Sequence, residues 1–139
     1  MDGLVQLSFI VQSVLSRIAE DHGLSITQVR MLAVLEDREI GMLQLARILE
    51  LEKSSVTGLV DRAERRELVR RVPVPGNRRA VHVVLTPKAQ SLVRAVRLAV
   101  RTEIAASLTG SLSAAGKADL SRSVAALIQE YTSRQARPL

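Results

Sequence analysis

The sequence predicts a mainly α-helical fold with one small two-stranded β-hairpin in its second half. Three observations carry that prediction. The chain of 139 residues is 47% apolar, yet it holds one Phe, one Tyr and no Trp. Its core is therefore built from Leu, Val, Ile and Ala, a set suited to packed helices. Helical spacing of apolar residues recurs along most of the chain and gives way to strand-like runs only between Leu68 and Leu85. Three of the four prolines fall between Pro73 and Pro87, which gathers the breaks into that same stretch. The length fits one domain with a substantial core.

The first helix is read from Leu4, Leu7, Val11, Val14, Leu15 and Ile18, which share one face. It ends near His22-Gly23, glycine being the residue suited to a helix C-terminus. Ser25-Ile26-Thr27-Gln28 is a capping box, with Ser25 as N-cap and Gln28 three residues on. It opens a second helix through Val29, Leu32, Ala33 and Leu35. Gly41 opens a short third helix with Met42, Leu45, Ala46 and Leu49 on one stripe. A fourth, residues 53–66, buries Val56, Leu59, Val60 and Ala63, an i, i+3, i+4, i+7 stripe. Its other face is small and polar: Ser54, Ser55, Thr57, Gly58, Asp61, Arg62 and Arg65.

From Leu68 the period changes. Val69, Val72 and Val74 lie in one β-favouring run. Val81, Val83 and Leu85 alternate with Ala80, His82 and Val84 in another, and Pro75-Gly76-Asn77 between them is turn chemistry. Pro73 cannot donate to a ladder, so its strand is expected at a sheet edge. Thr86-Pro87 starts a fifth helix, with Thr86 as N-cap and Pro87 at the first helical position. Val93, Val96, Val100 and Ile104 continue it, and Thr109-Gly110-Ser111 breaks it. Ser113 caps a sixth helix carrying Leu120, Val124, Leu127, Ile128 and Tyr131. The tail from Ser133 to Leu139 is expected to fray.

Composition also sets limits on function. With no cysteine, the chain has no disulfide framework, thiol nucleophile or Cys-based zinc site, which fits a reducing cytoplasm. The N-terminus lacks a signal-peptide pattern, and no apolar run reaches the ~18 residues of a membrane span. There is no Gly-rich phosphate loop, no His-Glu cluster and no nucleophile signature, so no enzyme activity, catalytic residue, metal or cofactor is expected. The net charge of +6 is concentrated. Eleven Arg or Lys lie between Arg62 and Arg101 against Glu64 and Glu67, a basic block that suits a polyanion.

The third and fourth helices, joined by the few residues from Glu50 to Lys53, make a helix-turn-helix pattern. Such a second helix, laid in a major groove, presents its N-terminal turns to base edges. Ser54, Ser55 and Thr57 are short hydroxyl residues that permit close approach, and Gly58 removes bulk. Lys53 and the helix N-terminus attract phosphate, and Arg62 is long enough to reach a guanine edge or the backbone. Arg78 and Arg79 follow the hairpin turn, placed to enter a narrow minor groove. Arg70 and Arg71, at the hairpin base, are read as phosphate- or solvent-facing. Arg94, Arg97 and Arg101 are read as a solvated face or as partners for acids on a second subunit. Other readings are an ordinary polar surface helix followed by charge protection of a strand edge, a protein-interaction module for an acidic partner, and a small-molecule-binding or enzymatic helical dimer, for which no residues are seen.

The chain resembles the MarR family of winged helix-turn-helix regulators over about residues 4–134. Four segments carry the resemblance in order: Leu24 to Leu32, Gln44 to Leu49, Ser55 to Arg62 with Glu67 to Arg71 after it, and Asn77 to Thr86. The last matches an Asp-x-Arg-x5-Leu-Thr pattern, except that Asn77 replaces the aspartate. In the family that carboxylate braces the arginine that maps to Arg79; Asn accepts a hydrogen bond but forms no ion pair. The resemblance implies a homodimer, with residues 24–86 as the DNA-binding lobe and residues 1–22 and 87–134 as dimerisation helices. It implies a pseudo-palindromic double-stranded DNA operator and a repressor released by a small aromatic or acidic effector. The implied setting is the cytoplasm, at the nucleoid.

Overall fold

The computed structural model describes residues 2–136. Their order is α1 (Gly3–Asp21), α2 (Ile26–Leu35), β1 (Ile40–Gly41), α3 (Met42–Leu49), α4 (Lys53–Arg65), β2 (Val69–Val74), β3 (Asn77–Leu85), α5 (Pro87–Ser107) and α6 (Ala114–Gln135). Two compact units are present, one ending at Arg101 and the other beginning at Thr102.

The first unit contains a continuous aliphatic core. Val14 and Ile18 of α1, Met31, Leu32 and Leu35 of α2, Leu45 and Leu49 of α3, the Val56–Leu59–Val60–Ala63 stripe of α4, and Val93 and Val96 of α5 are all buried in it. The capping box of α2 is formed in both directions: Gln28 N–H donates to Ser25 Oγ and Ser25 N–H donates to Gln28 Oε1. Arg30 on α2 donates to the carbonyls of Ile48 and Leu49, satisfying acceptors that the end of α3 would otherwise leave open.

Three helices of this unit end in one way. At the end of α1, Gly23 N–H bonds to Glu20 O and Leu24 N–H to Ala19 O, with Gly23 at φ +69. The same pair of bonds closes α3 through Glu50 (φ 55) and α4 through Glu67 (φ 58). These are Schellman closures, which require a left-handed residue. Glycine supplies it once; the other two positions hold glutamate.

The sheet has three antiparallel strands in the order β1–β3–β2, where the sequence predicted two. Ile40 and Gly41 pair with Val83 and His82. A two-residue strand ending in glycine has no alternation to read, so β1 leaves no periodic signal. β2, which contains Pro73, is an edge strand as expected. The alternation of β3 is only partly kept: Val83, Val84 and Leu85 are all buried, Val81 is exposed and His82 half-buried. The strand enters the core at its end, where both faces are covered. Thr86 begins α5 as predicted: Ala89 N–H donates to its Oγ1, and that hydroxyl donates to Glu67 O at 2.7 Å.

The second unit is the end of α5, the Thr109–Ser111 break and α6. Ser113 Oγ accepts from Gly116 N–H and caps α6. None of the α6 residues is buried, and Val124, Leu127, Ile128 and Tyr131 are exposed. Ser133, in the tail expected to fray, lies within α6, which runs to Gln135; the remainder of that expectation, from residue 137, lies outside the described residues.

Candidate nucleic-acid interface

The polar face of α4 is held outward by its buried stripe. Lys53, Ser54, Ser55, Thr57 and Arg62 are exposed and Gly58 is half-buried. Glu52, the N-cap, makes no side-chain cap bond, so the first turn of α4 keeps its amide donors open. The Thr57 hydroxyl donates to Lys53 O at 3.0 Å, which leaves its oxygen as an acceptor. Gly58 has a second use besides low bulk. A side-chain methyl built there would meet Arg62 Nη1 at 3.2 Å, so the guanidinium folds over the bare glycine backbone.

The hairpin turns at Pro75-Gly76. Gly76 lies at φ +80, and proline followed by a left-handed glycine meets the demands of a type II turn. Asn77, expected in the turn, is the first residue of β3. Its Oδ1 accepts from Arg79 N–H at 3.2 Å, a local bond that braces the backbone of the arginine rather than its guanidinium. Between the Pro73–Val81 and Val74–Asn77 pairs the register shifts. Arg78, Arg79 and Ala80 therefore have no opposite partner on β2. A bulge of this sort re-aims side chains and strengthens the local twist, and here it carries both wing arginines.

Some cations of this unit are tied to protein acceptors, and others, Arg38, Arg47, Arg65, Arg70 and Arg101 among them, are exposed. Arg30 caps α3, Arg66 donates to Gly23 O at 2.7 Å, and Arg97 pairs with Glu36. Arg71, read from the sequence as facing phosphate or solvent, instead bridges Asp61 and Glu64 of α4 at 2.6 and 2.7 Å. The hydrogen bond to Asp61 is the main cause that holds the Arg71 pKa above its ordinary value, with partial burial acting against it. By contrast, Lys53, Arg62, Arg78 and Arg79 have no ion-pair or side-chain hydrogen-bond partner among the described residues. The Arg71 and Arg97 pairs span 7 or more positions in sequence, beyond the reach of helical spacing rules.

A cavity of about 160 Å³ lies between α2 and α5. Leu24, Val29, Leu32, Val93 and Val96 line it, and Arg97 is the charged residue of its wall. Arg97 Nη1 donates to Glu36 Oε1 at 3.1 Å, and Nη2 contacts Glu36 Oε2. Arg97 thus has a partner within its own unit, where the sequence suggested solvent or a second subunit.

The MarR family model matches residues 22–80, from the Schellman closure of α1 into the bulge of β3. The crystal structure of RV1404 from Mycobacterium tuberculosis is similar, at 30% identity and a TM-score of 0.81, covering 94% of this chain and 90% of that one. The chain belongs to the MarR family. MarR proteins are transcriptional regulators, not enzymes. Among curated relatives, the HTH-type transcriptional regulator PecS of Dickeya dadantii is 29% identical over 97 residues, which span 67% of this chain and 58% of PecS. CouR from Rhodococcus jostii RHA1, solved with p-coumaroyl-CoA, has a similar fold at 18% identity and a TM-score of 0.77, covering 98% of this chain and 91% of that one.

Proposed function

We propose that this chain is a sequence-specific double-stranded DNA-binding regulator, acting as a homodimer on a pseudo-palindromic operator and repressing until a small effector releases it. The observation that carries the reading is the cluster of exposed cations on α4 and the wing. Several arginines are tied to protein acceptors, whereas Lys53, Arg62, Arg78 and Arg79 stand exposed without such partners among the described residues. Exposed, unpaired cations on a helix-turn-helix and its wing suit phosphate and base-edge contacts. In this reading α4 enters a major groove, where Lys53 and the open amides hold phosphate and Ser54, Ser55, Thr57, Gly58 and Arg62 meet the bases. Arg78 and Arg79 enter the flanking minor groove. The protein works in the cytoplasm, at the nucleoid.

Residues 24–86 form the DNA-binding lobe of one domain, and residues 1–22 and 87–134 supply dimerisation helices. Exposed apolar side chains support the second assignment. Leu4, Phe9 and Ile10 on α1, and Leu127, Ile128 and Tyr131 on α6, are all more than 40% exposed, a pattern typical of an interaction surface. The cavity beside Arg97 is the candidate effector site. Its apolar wall and single guanidinium suit a small apolar acid, which would compete with Glu36 for Arg97.

Selection of bound sequences from random duplex DNA tests the reading. A dyad-symmetric site with half-sites about one helical turn apart is expected. Equal binding to selected and scrambled duplexes would overturn it in favour of a protein-interaction module.

A further inference from the structure

Asp61 occupies an awkward place. Ser54, Gly58, Asp61 and Arg65 follow one another at spacings of four, three and four, so they form a single line along α4. The buried stripe of Val56, Leu59, Val60 and Ala63 lies on the other side. The carboxylate of Asp61 therefore sits on the face that the DNA-binding reading turns toward a polyanion, and Glu64 flanks it one turn on. Their side chains are 41% and 43% exposed. Two uncovered carboxylates there would repel phosphate.

Arg71 meets both of them. It projects from the edge strand β2, Nη2 on Asp61 Oδ1 and Nη1 on Glu64 Oε1. Its two terminal nitrogens are each engaged by a protein carboxylate, whereas the guanidinium groups of Arg62, Arg78 and Arg79 have no such partner among the described residues. The bridge also ties the wing's first strand to the reading helix at a point outside the core. With Arg71 30% exposed, ion pairs of this kind contribute little to folding stability. Their effect lies in what the surface presents.

We propose that Arg71 is a positioning residue for DNA recognition, acting through Asp61 and Glu64: it neutralises the acidic part of the reading face and ties β2 to α4, without itself touching DNA. This rests on the DNA-binding reading above.

The test compares wild type, Arg71→Met, Asp61→Asn/Glu64→Gln and the triple variant, all as full chains, on a duplex selected by the wild type. Fluorescence anisotropy is followed across a salt series, with thermal melting alongside. Arg71→Met is expected to weaken binding by about tenfold or more while its melting temperature stays near that of wild type. The triple variant is expected to bind within about threefold of the Asp61→Asn/Glu64→Gln variant, because Arg71 has nothing left to neutralise. Its salt slope should equal that of the double variant. If removing Arg71 still weakens binding in the double-variant background, or makes the slope shallower by about one, Arg71 contacts phosphate directly and the proposal is overturned. Unchanged binding of Arg71→Met overturns it as well. The comparison of double and triple variants decides the matter even if Arg71→Met alone fails to fold. A wild type that selects no duplex removes the DNA-binding reading and this proposal together, whereas failed rescue in a wild type that binds removes this proposal alone.

Discussion

The guanidinium of Arg62 lies over Gly58, close enough that a methyl group on Gly58 would stand 3.2 Å from Arg62 Nη1. The two positions are one turn apart on the exposed side of α4, and the missing side chain is what admits the arginine. Gly58→Ala should then separate stability from function. An alanine in a helix interior is favoured over glycine by about 1 kcal/mol, so melting temperature should rise. Arg62 must shift aside, so affinity for the selected duplex should fall. A variant that gains stability and keeps full affinity would show that the Arg62 position over Gly58 is not the one used on DNA.

Arg62→Ala and Arg79→Ala should each weaken specific binding by about 1–3 kcal/mol if they make good groove contacts. Anisotropy with selected and scrambled duplexes measures both. Wild-type affinity should fall steeply as salt rises, because phosphate contacts release counterions. Two silent substitutions at moderate salt would mean that the interface lies elsewhere.

Glu67 closes α4 at φ 58, a conformation that costs a non-glycine residue about 1–2 kcal/mol. Glu67→Gly removes the side-chain penalty, though it adds backbone entropy to the unfolded chain. The first effect is the larger, so denaturation midpoints should rise, with unchanged affinity for DNA. Thr86→Ala should do the reverse. It removes both the cap on Ala89 N–H and the bond to Glu67 O, and caps of this type are worth about 1–2 kcal/mol. Urea denaturation of the two variants checks both signs.

Ile128 is 61% exposed on α6. If that face is a dimer surface, Ile128→Lys should shift the protein toward monomer in sedimentation velocity and weaken binding to the full dyad site. A monomeric wild type would contradict the dimer directly.

Much of this architecture was legible in the sequence because its signals are local. The Ser25–Gln28 box, the Thr86-Pro87 start, the four-residue stripe of α4 and the edge proline of β2 each act within a few residues. Elements that depend on distant partners, or on a backbone conformation that their residue type does not signal, were not legible. Strand β1 exists only because Ile40 meets Val83. The left-handed closures at Glu50 and Glu67 carry no glycine to mark them. Among the candidate site residues, the polar face of α4 was readable from spacing. The engagement of Arg71 with Asp61 and Glu64 was not, since it joins a helix to a strand across a turn.

The bulge in β3 has a mechanical consequence. At His82 and Val83 the ribbon is three strands wide, and beyond Val81 it carries three residues that no neighbouring strand holds in step. Arg78 and Arg79 ride on that surplus length. Moving them breaks none of the strand pairs at the root, so if the wing enters a minor groove as proposed, the arginines would be able to follow a groove whose width varies while α4 keeps its seat. Discrimination would then concentrate under α4, and the flanks could vary in sequence at little cost, provided their grooves remain narrow enough to grip.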